Sequence, residues 1–283
     1  MRAARRLLLV TAGAALALAV AASAHAQGKG KKSKPPSSST LPSAASGPAA
    51  NASPLSWLDD ASLLAPGTMS LTVSAMRWSG ADLSEVDFPI VDASIGLTPR
   101  FQIGASVPRI VGSADGSGPV GGVGTSYIST KIAILSGTDG LKLAVSPMME
   151  ILGEGAAQGL QPGQRRTQLG LPVSLELAQG PARVFASTGV FSRGAWFAGG
   201  GAGLQATPRI GLSVSFTRSW AKTDIAGVHR DRRELSGGAS YFLKSQMAVY
   251  GSIGRTIATS DDNGAGTSIS GGVTFLLNPR VTK

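Results

Sequence analysis

From Met69 almost to the C-terminus the chain is written in short runs whose apolar residues alternate with small or polar ones. Ile210, Leu212, Val214 and Phe216 alternate with Gly211, Ser213, Ser215 and Thr217. Leu169, Leu171, Val173, Leu175 and Leu177 alternate with Gln168, Gly170, Pro172, Ser174 and Glu176. In an extended chain successive side chains leave on opposite faces, so a period of two predicts strands with one oily face. Twelve are expected, near 69–78, 86–97, 101–111, 123–135, 141–151, 167–178, 182–192, 195–206, 209–220, 234–243, 246–257 and 267–277. Alternation alone leaves open whether the oily faces meet a protein core or hydrocarbon.

An internal repeat favours hydrocarbon. Six segments align without gaps: MSLTVSAMR (69–77), FQIGASVPR (101–109), LKLAVSPMM (141–149), FASTGVFSR (185–193), IGLSVSFTR (210–218) and MAVYGSIGR (247–255). Five end in arginine, namely Arg77, Arg109, Arg193, Arg218 and Arg255; the third has Met149. Turn sequences such as Gly96-Leu-Thr-Pro-Arg100 and Gln205-Ala-Thr-Pro-Arg209 run straight into copies, with proline where the sheet no longer needs a donor. The connections sort into a short set (98–100, 137–140, 179–181, 207–209, 244–245) and a mostly longer, polar set (79–84, 112–121, 153–166, 221–232, 258–266), with a brief break at Gly194 as the exception. Bacterial outer-membrane barrels alternate in this way, with periplasmic turns and extracellular loops. The expected fold is all-β, an antiparallel up-and-down transmembrane β-barrel over 68–283. An even strand number puts both mature termini on the periplasmic side.

The N-terminal region has another texture. Arg2, Arg5 and Arg6, an apolar stretch from Leu7 to Ala22, and Ala24-His25-Ala26 have the form of a cleaved signal peptide over 1–26. Residues 27–54 are a Lys-, Pro- and Ser-rich linker with too little apolar mass to fold. Leu55 to Leu64 has the composition for one or two helical turns ended by Pro66-Gly67, making 55–67 a candidate periplasmic plug or a surface-lying segment.

Most of the formal charge of +10 belongs to this leader. Seven of the 26 basic residues precede Pro35, leaving 19 against 16 acidic ones, so no nucleic-acid partner is indicated. Cysteine is absent, and His25 and His229 are the two histidines. A Ser-His-acid enzyme would need a histidine near the wall, whereas His229 falls in a polar loop. Asp261-Asp262-Asn263 is a weak calcium motif, and the Gly-rich runs precede no helix that would cradle phosphate. No catalytic residue, resident metal or cofactor is expected.

The repeat gives the arginines a place. Position nine shares a face with positions one, three, five and seven, which is the oily face in 210–218. Eight steps of about 3.3 Å, tilted by about 40°, rise roughly 20 Å, near the edge of an apolar band about 25 Å tall. There a guanidinium meets headgroups cheaply and forks onto phosphate. Arg77, Arg109, Arg193, Arg218 and Arg255, with Trp78 and Trp220 as an interfacial belt, are therefore candidates for contact with outer-membrane lipid and lipopolysaccharide, or for a plain snorkelling boundary. In 185–193, Val184, Ala186 and Val190 offer a competing lipid face. On the opposite faces, Asp92, Lys131, Lys142, Glu150, Glu176 and Arg183 are candidates for a lumen constriction or a mutually neutral set. Glu176 and Arg183 are expected to pair across their hairpin; Met76, Met148 and Tyr250 are an equal alternative lining, for a less polar solute.

The pattern at 95–104 (apolar-G-L-T-P-R-F-x-I-G), its echo A-T-P-R-I-G-L at 206–212 and YGSIGRT at 250–256 resemble the phenol-degradation (MetA-pathway) family of transporter-like outer-membrane barrels. The resemblance spans about Pro66 to Leu277. It implies a barrel of this size that passes small, often hydrophobic compounds, with the barrel assembly machinery as a partner. Such barrels commonly end in an aromatic residue, whereas Phe275 is followed by eight more residues. The leading expectation is a passive outer-membrane channel of unknown solute. The competing one is a non-conducting barrel that binds lipid or a partner.

Overall fold

The computed structural model describes residues 60–80, 84–115, 118–119, 121–136, 140–154, 165–221, 231–260 and 264–277. The expected signal peptide, the linker, residues 55–59, His229, Asp261 to Asn263 and the stub 278–283 lie outside them.

The order of elements is β1 (Met69–Ser79), β2 (Ser84–Thr98), β3 (Phe101–Asp115), β4 (Gly118–Pro119), β5 (Gly122–Val123), β6 (Thr125–Leu135), β7 (Gly140–Val145), β8 (Met148–Leu152), β9 (Thr167–Gln179), β10 (Ala182–Phe191), β11 (Ala195–Gln205), β12 (Ile210–Ala221), β13 (Asp231–Lys244), β14 (Met247–Thr259) and β15 (Thr267–Leu277). Neighbours in sequence pair antiparallel around the sheet, β1 pairs with β15 from Met69↔Leu277 to Ser79↔Thr267, and β3 pairs with β6. The sheet is closed, so it leaves no edge. Met69 opposite Leu277 puts the two ends of the wall at one rim, the rim of the short turns.

Twelve strands make the wall, because β7 and β8 are two halves of one strand. Pro147 interrupts it, having no N–H to give the ladder; its carbonyl accepts from Thr130 and that of Pro172 from Ser146. The two short elements are additions. β4 and β5 fold back on the far end of β3, so the stretch 112–121, expected as a loop, is partly a hairpin extension of the wall.

The faces are inverted relative to a soluble protein. Leu169, Leu171, Leu212, Val214, Phe216, Ile253, Ile257 and Ile269 are exposed on the outside. Ser174, Ser187, Ser215, Thr217, Ser236, Ser268 and Thr274 are buried within. A sandwich in water would bury the first set, since each such side chain gains about 1.5–3 kcal/mol on leaving water. A wall with this pattern is satisfied only by hydrocarbon outside and polar contents inside. Inside, the hydroxyls close on one another across strands: Thr72 with Thr274 at 2.7 Å, Ser252 with Ser270 at 2.6 Å and Ser215 with Ser236 at 2.7 Å.

Candidate functional site: a lumen with two polar clusters and an apolar fill

The chain enters the lumen before it builds the wall. Ala65-Pro66-Gly67-Thr68 is a turn closed by Thr68 N donating to Ala65 O at 3.0 Å, with Gly67 at φ 74°, the conformation a type II turn needs at its third residue. Gly96 on β2 lets the segment lie against the wall: a Cβ there would stand 2.4 Å from Leu64 O and 2.5 Å from Ala65 O. Residues 60–65 are irregular, not helical, which corrects the expected helical turns for the described part of that segment. Their backbone groups are taken by the wall instead. Leu64 N donates to Gln102 Oε1 at 2.8 Å, and Lys131 Nζ donates to the carbonyls of Asp60 at 3.2 Å and Ser62 at 3.3 Å.

Four of the six lumen candidates meet at this seat. Arg183 Nη1 pairs with Asp60 Oδ2 at 2.5 Å. Lys142 Nζ donates to Glu176 Oε1 and to Ser62 Oγ, each at 2.8 Å, and the Ser62 hydroxyl donates to the same carboxylate at 2.9–3.0 Å. Glu176 is 0% exposed, and Lys131, Lys142 and Arg183 are buried. Glu176 and Arg183 are not the directly opposed pair expected across their hairpin. The β9–β10 turn centres on Gly180-Pro181, so Glu176 lies opposite Phe185 and Arg183 opposite Ala178. The direct partner of Glu176 is Lys142, across β7 and β9.

The other two candidates stand apart from this seat. Asp92 lies opposite Ser106, four rungs along β3 from the Gln102–Lys131 pair, and is half-buried. Glu150 on β8 faces Tyr127 and accepts from Gln168 Nε2. Near it the lumen is filled, not open: Phe191, Ala195 and Phe197 form a buried apolar cluster, with Met148 and Tyr127 packed on it. Gly170 and Gly189 make room for the rings, since a Cβ there would fall 2.4 Å from Phe191 and 2.5 Å from Phe197. Small residues on the wall thus serve packing on this side. Met148 belongs to that packing. Met76 and Tyr250 face the lumen on the other side, both half-buried.

A second polar cluster lies toward the loop rim, and sequence reasoning missed it. Arg232 Nε donates to Glu234 Oε1 at 2.7 Å, and its guanidinium stacks 5.3 Å from the Trp78 ring. Arg232 falls in the polar run 221–232, expected as a loop, whereas β13 begins at Asp231. Strand parity was the available signal. Trp78 follows the outward Arg77 and must point the other way. Trp78 is buried inside the barrel and is no part of an interfacial belt.

On the outer wall Arg77, Arg109, Arg218 and Arg255 are exposed, each eight residues past the first residue of β1, β3, β12 and β14. Arg193 departs from them. In β10 the even positions face out and Arg193 lies in the following turn, where its Nη2 donates to Thr167 O at 3.4 Å. Trp220 lies opposite Trp196, a residue the sequence reading passed over, and Arg218 stacks 5.3 Å above Trp220. Among the described residues no helix is long and apolar enough to cross a membrane, and no group of three or more His, Asp or Glu is placed to hold a metal.

No protein-family model and no curated protein matches the sequence. Solved structures match the fold. The NanC porin aligns with a TM-score of 0.55 at 12% identity, over 73% of this chain and 100% of that one. An outer membrane channel from Pseudomonas putida F1 aligns with a TM-score of 0.61 at 14% identity, over 77% and 98%. The KdgM porin aligns with a TM-score of 0.51 at 8% identity, over 73% and 98%. At such identities the likeness is one of fold, the fold of outer-membrane porins and channels.

Proposed function

We propose that this chain is an outer-membrane channel for the passive passage of small molecules, narrowed at its short-turn mouth by its own N-terminal segment. The observation that carries the reading is the inverted wall: oily outside, hydroxyl-lined within, and closed on itself. Its apolar exterior seats it in the membrane, and the loop rim faces the cell exterior. The short turns, both ends of the wall and the Asp60–Thr68 segment then lie on the periplasmic side. Asp60 and Ser62 act as a plug held by Arg183, Lys142, Glu176 and Lys131.

The more accessible part of the inner wall lies away from the apolar fill. Half-buried Ser70, Thr72, Ser94 and Ser106 share it with Met76, Tyr250 and Leu276, which supports solutes that are small and partly apolar. The resemblance to the phenol-degradation barrels points the same way. No catalysis is assigned to the chain.

The apolar fill around Phe197 and the buried seat of Asp60 favour a second reading, a barrel that does not conduct. Planar-bilayer recordings on the refolded full chain and on Asp60→Asn separate the two. Steady single-channel steps in either protein support the channel; silence from both overturns it.

A further inference from the structure

The outward arginines are unevenly placed. Around the wall the order runs β3, β2, β1, β15, β14, β13, β12, and the four arginines occupy alternate strands of this contiguous arc: Arg109, Arg77, Arg255 and Arg218. Arg233 on β13, opposite Arg218, joins them. Lateral spacing is about 10 Å between alternate strands, since neighbours lie about 4.8 Å apart. From β6 to β11 no described arginine or lysine of a strand faces outward: Lys131, Lys142 and Arg183 point into the lumen, while the exposed Arg165 and Arg166 and the half-exposed Arg193 lie in the connections. A boundary marker for the membrane would be needed all the way round. A one-sided arc is what a ligand on one side requires.

Charge on the arc is largely uncompensated. Among residues whose side chains are described, Asp231 is the acid facing outward at this height, and it is already engaged, accepting from Arg218 at 2.9–3.0 Å and from Arg233 at 3.4 Å. Arg255 Nη1 donates to the Thr267 hydroxyl at 3.4 Å, a neutral partner. Each guanidinium is a planar fork that matches phosphate oxygens and stays charged at the edge of hydrocarbon. The paired Trp196 and Trp220 close the arc at one end, where indole rings sit at headgroup level.

We infer that Arg77, Arg109 and Arg255, continued by Arg218 and Arg233, form a binding site on the outer wall for the phosphates of lipopolysaccharide. The source is fixed by the loop rim facing the outer leaflet, as in the orientation proposed above. Channel activity and lipid retention are read separately, so either reading can fail alone.

The test uses the full chain purified from outer membranes in detergent. It is incubated with bisphosphorylated lipid A or with the same lipid stripped of phosphate, and bound lipid is counted by native mass spectrometry. The wild type holds the phosphorylated lipid about tenfold more tightly than the stripped one, and the triple variant Arg77→Ser/Arg109→Ser/Arg255→Ser loses that preference. The pair Arg166→Ser/Arg193→Ser, on the far side of the barrel, keeps it. Equal binding of the two lipids by the wild type overturns the inference, whatever the fate of the variants. So does an unchanged preference in a triple variant that still shows the heat-dependent gel shift of a folded barrel, or an equal loss in the far-side pair.

Discussion

Arg183 Nη1 and Asp60 Oδ2 lie 2.5 Å apart across 123 positions of sequence, joining the wall to a segment that precedes it. Both side chains are under a tenth exposed. The hairpin β9–β10 thus has a function besides completing the sheet: its inner face holds the chain's own N-terminal side in the mouth.

Removing one member of that pair is expected to free the segment. Asp60→Asn leaves Arg183 facing a neutral amide, a loss of about 1–3 kcal/mol for a buried charge-assisted contact. The segment then spends more time out of its seat. Single-channel recordings should show a larger and noisier conductance than wild type, and identical traces would mean that the seat does not limit the pore.

Glu176 makes a sharper case, because it is fully enclosed with Lys142 and Ser62. Glu176→Gln strands the Lys142 ammonium and is expected to cost about 3–5 kcal/mol. The double variant Glu176→Gln/Lys142→Met removes both charges and should cost less than Glu176→Gln alone. Urea unfolding of the refolded barrels in vesicles measures all the corners of the cycle. Additive costs would contradict the direct pairing across β7 and β9.

The direction of the oily face can be tested on single strands. Val214 is exposed on the outside of β12 and Ser94 faces the lumen from β2. Val214→Arg, near mid-height, should destabilise the barrel in vesicles by about 2–4 kcal/mol, whereas Ser94→Arg, with water to reach, should cost much less. Equal losses at the two sites would mean that hydrocarbon does not cover the outer wall.

At the loop rim, Trp78 sits in a slot floored by glycine. A Cβ on Gly266 would stand 2.4 Å from the Trp78 ring, too close without a shift. Gly266→Ala is expected to lose about 1–3 kcal/mol through overpacking, and Trp78→Phe in the same chain to recover part of it. Reversal potentials add a second readout for this cluster. Arg232→Gln leaves Glu234 without its cation and should move selectivity toward cations.

Alternation and repeat made the wall legible in the sequence. All twelve wall strands lie within about three residues of their expected bounds, apart from the Ser146-Pro147 break and the far end of β3. Parity fixes a side chain's face from local geometry alone, and so Arg77, Arg109, Arg218 and Arg255 could be placed outside before any fold was known. Where the phase was carried one residue too far the reading failed, as with Trp78 beside Arg77 and Arg193 beyond the end of β10. The Glu176–Arg183 expectation failed by two rungs, because the register of a hairpin is set by where its turn centres, and that was Gly180-Pro181.

What the sequence determined by itself was therefore the wall: strands, their faces, the two classes of connection, and a ring of even number. These are properties of each residue and its near neighbours, written in a period of two. Closure of the sheet determined the rest. It brought Asp60 and Ser62 against Lys131, Lys142, Glu176 and Arg183, stacked Arg232 on Trp78, filled one side with Phe191 and Phe197, and gathered the outer arginines onto one arc. Such meetings depend on how strands far apart in sequence curve round to a common lumen, and no local pattern carries that information.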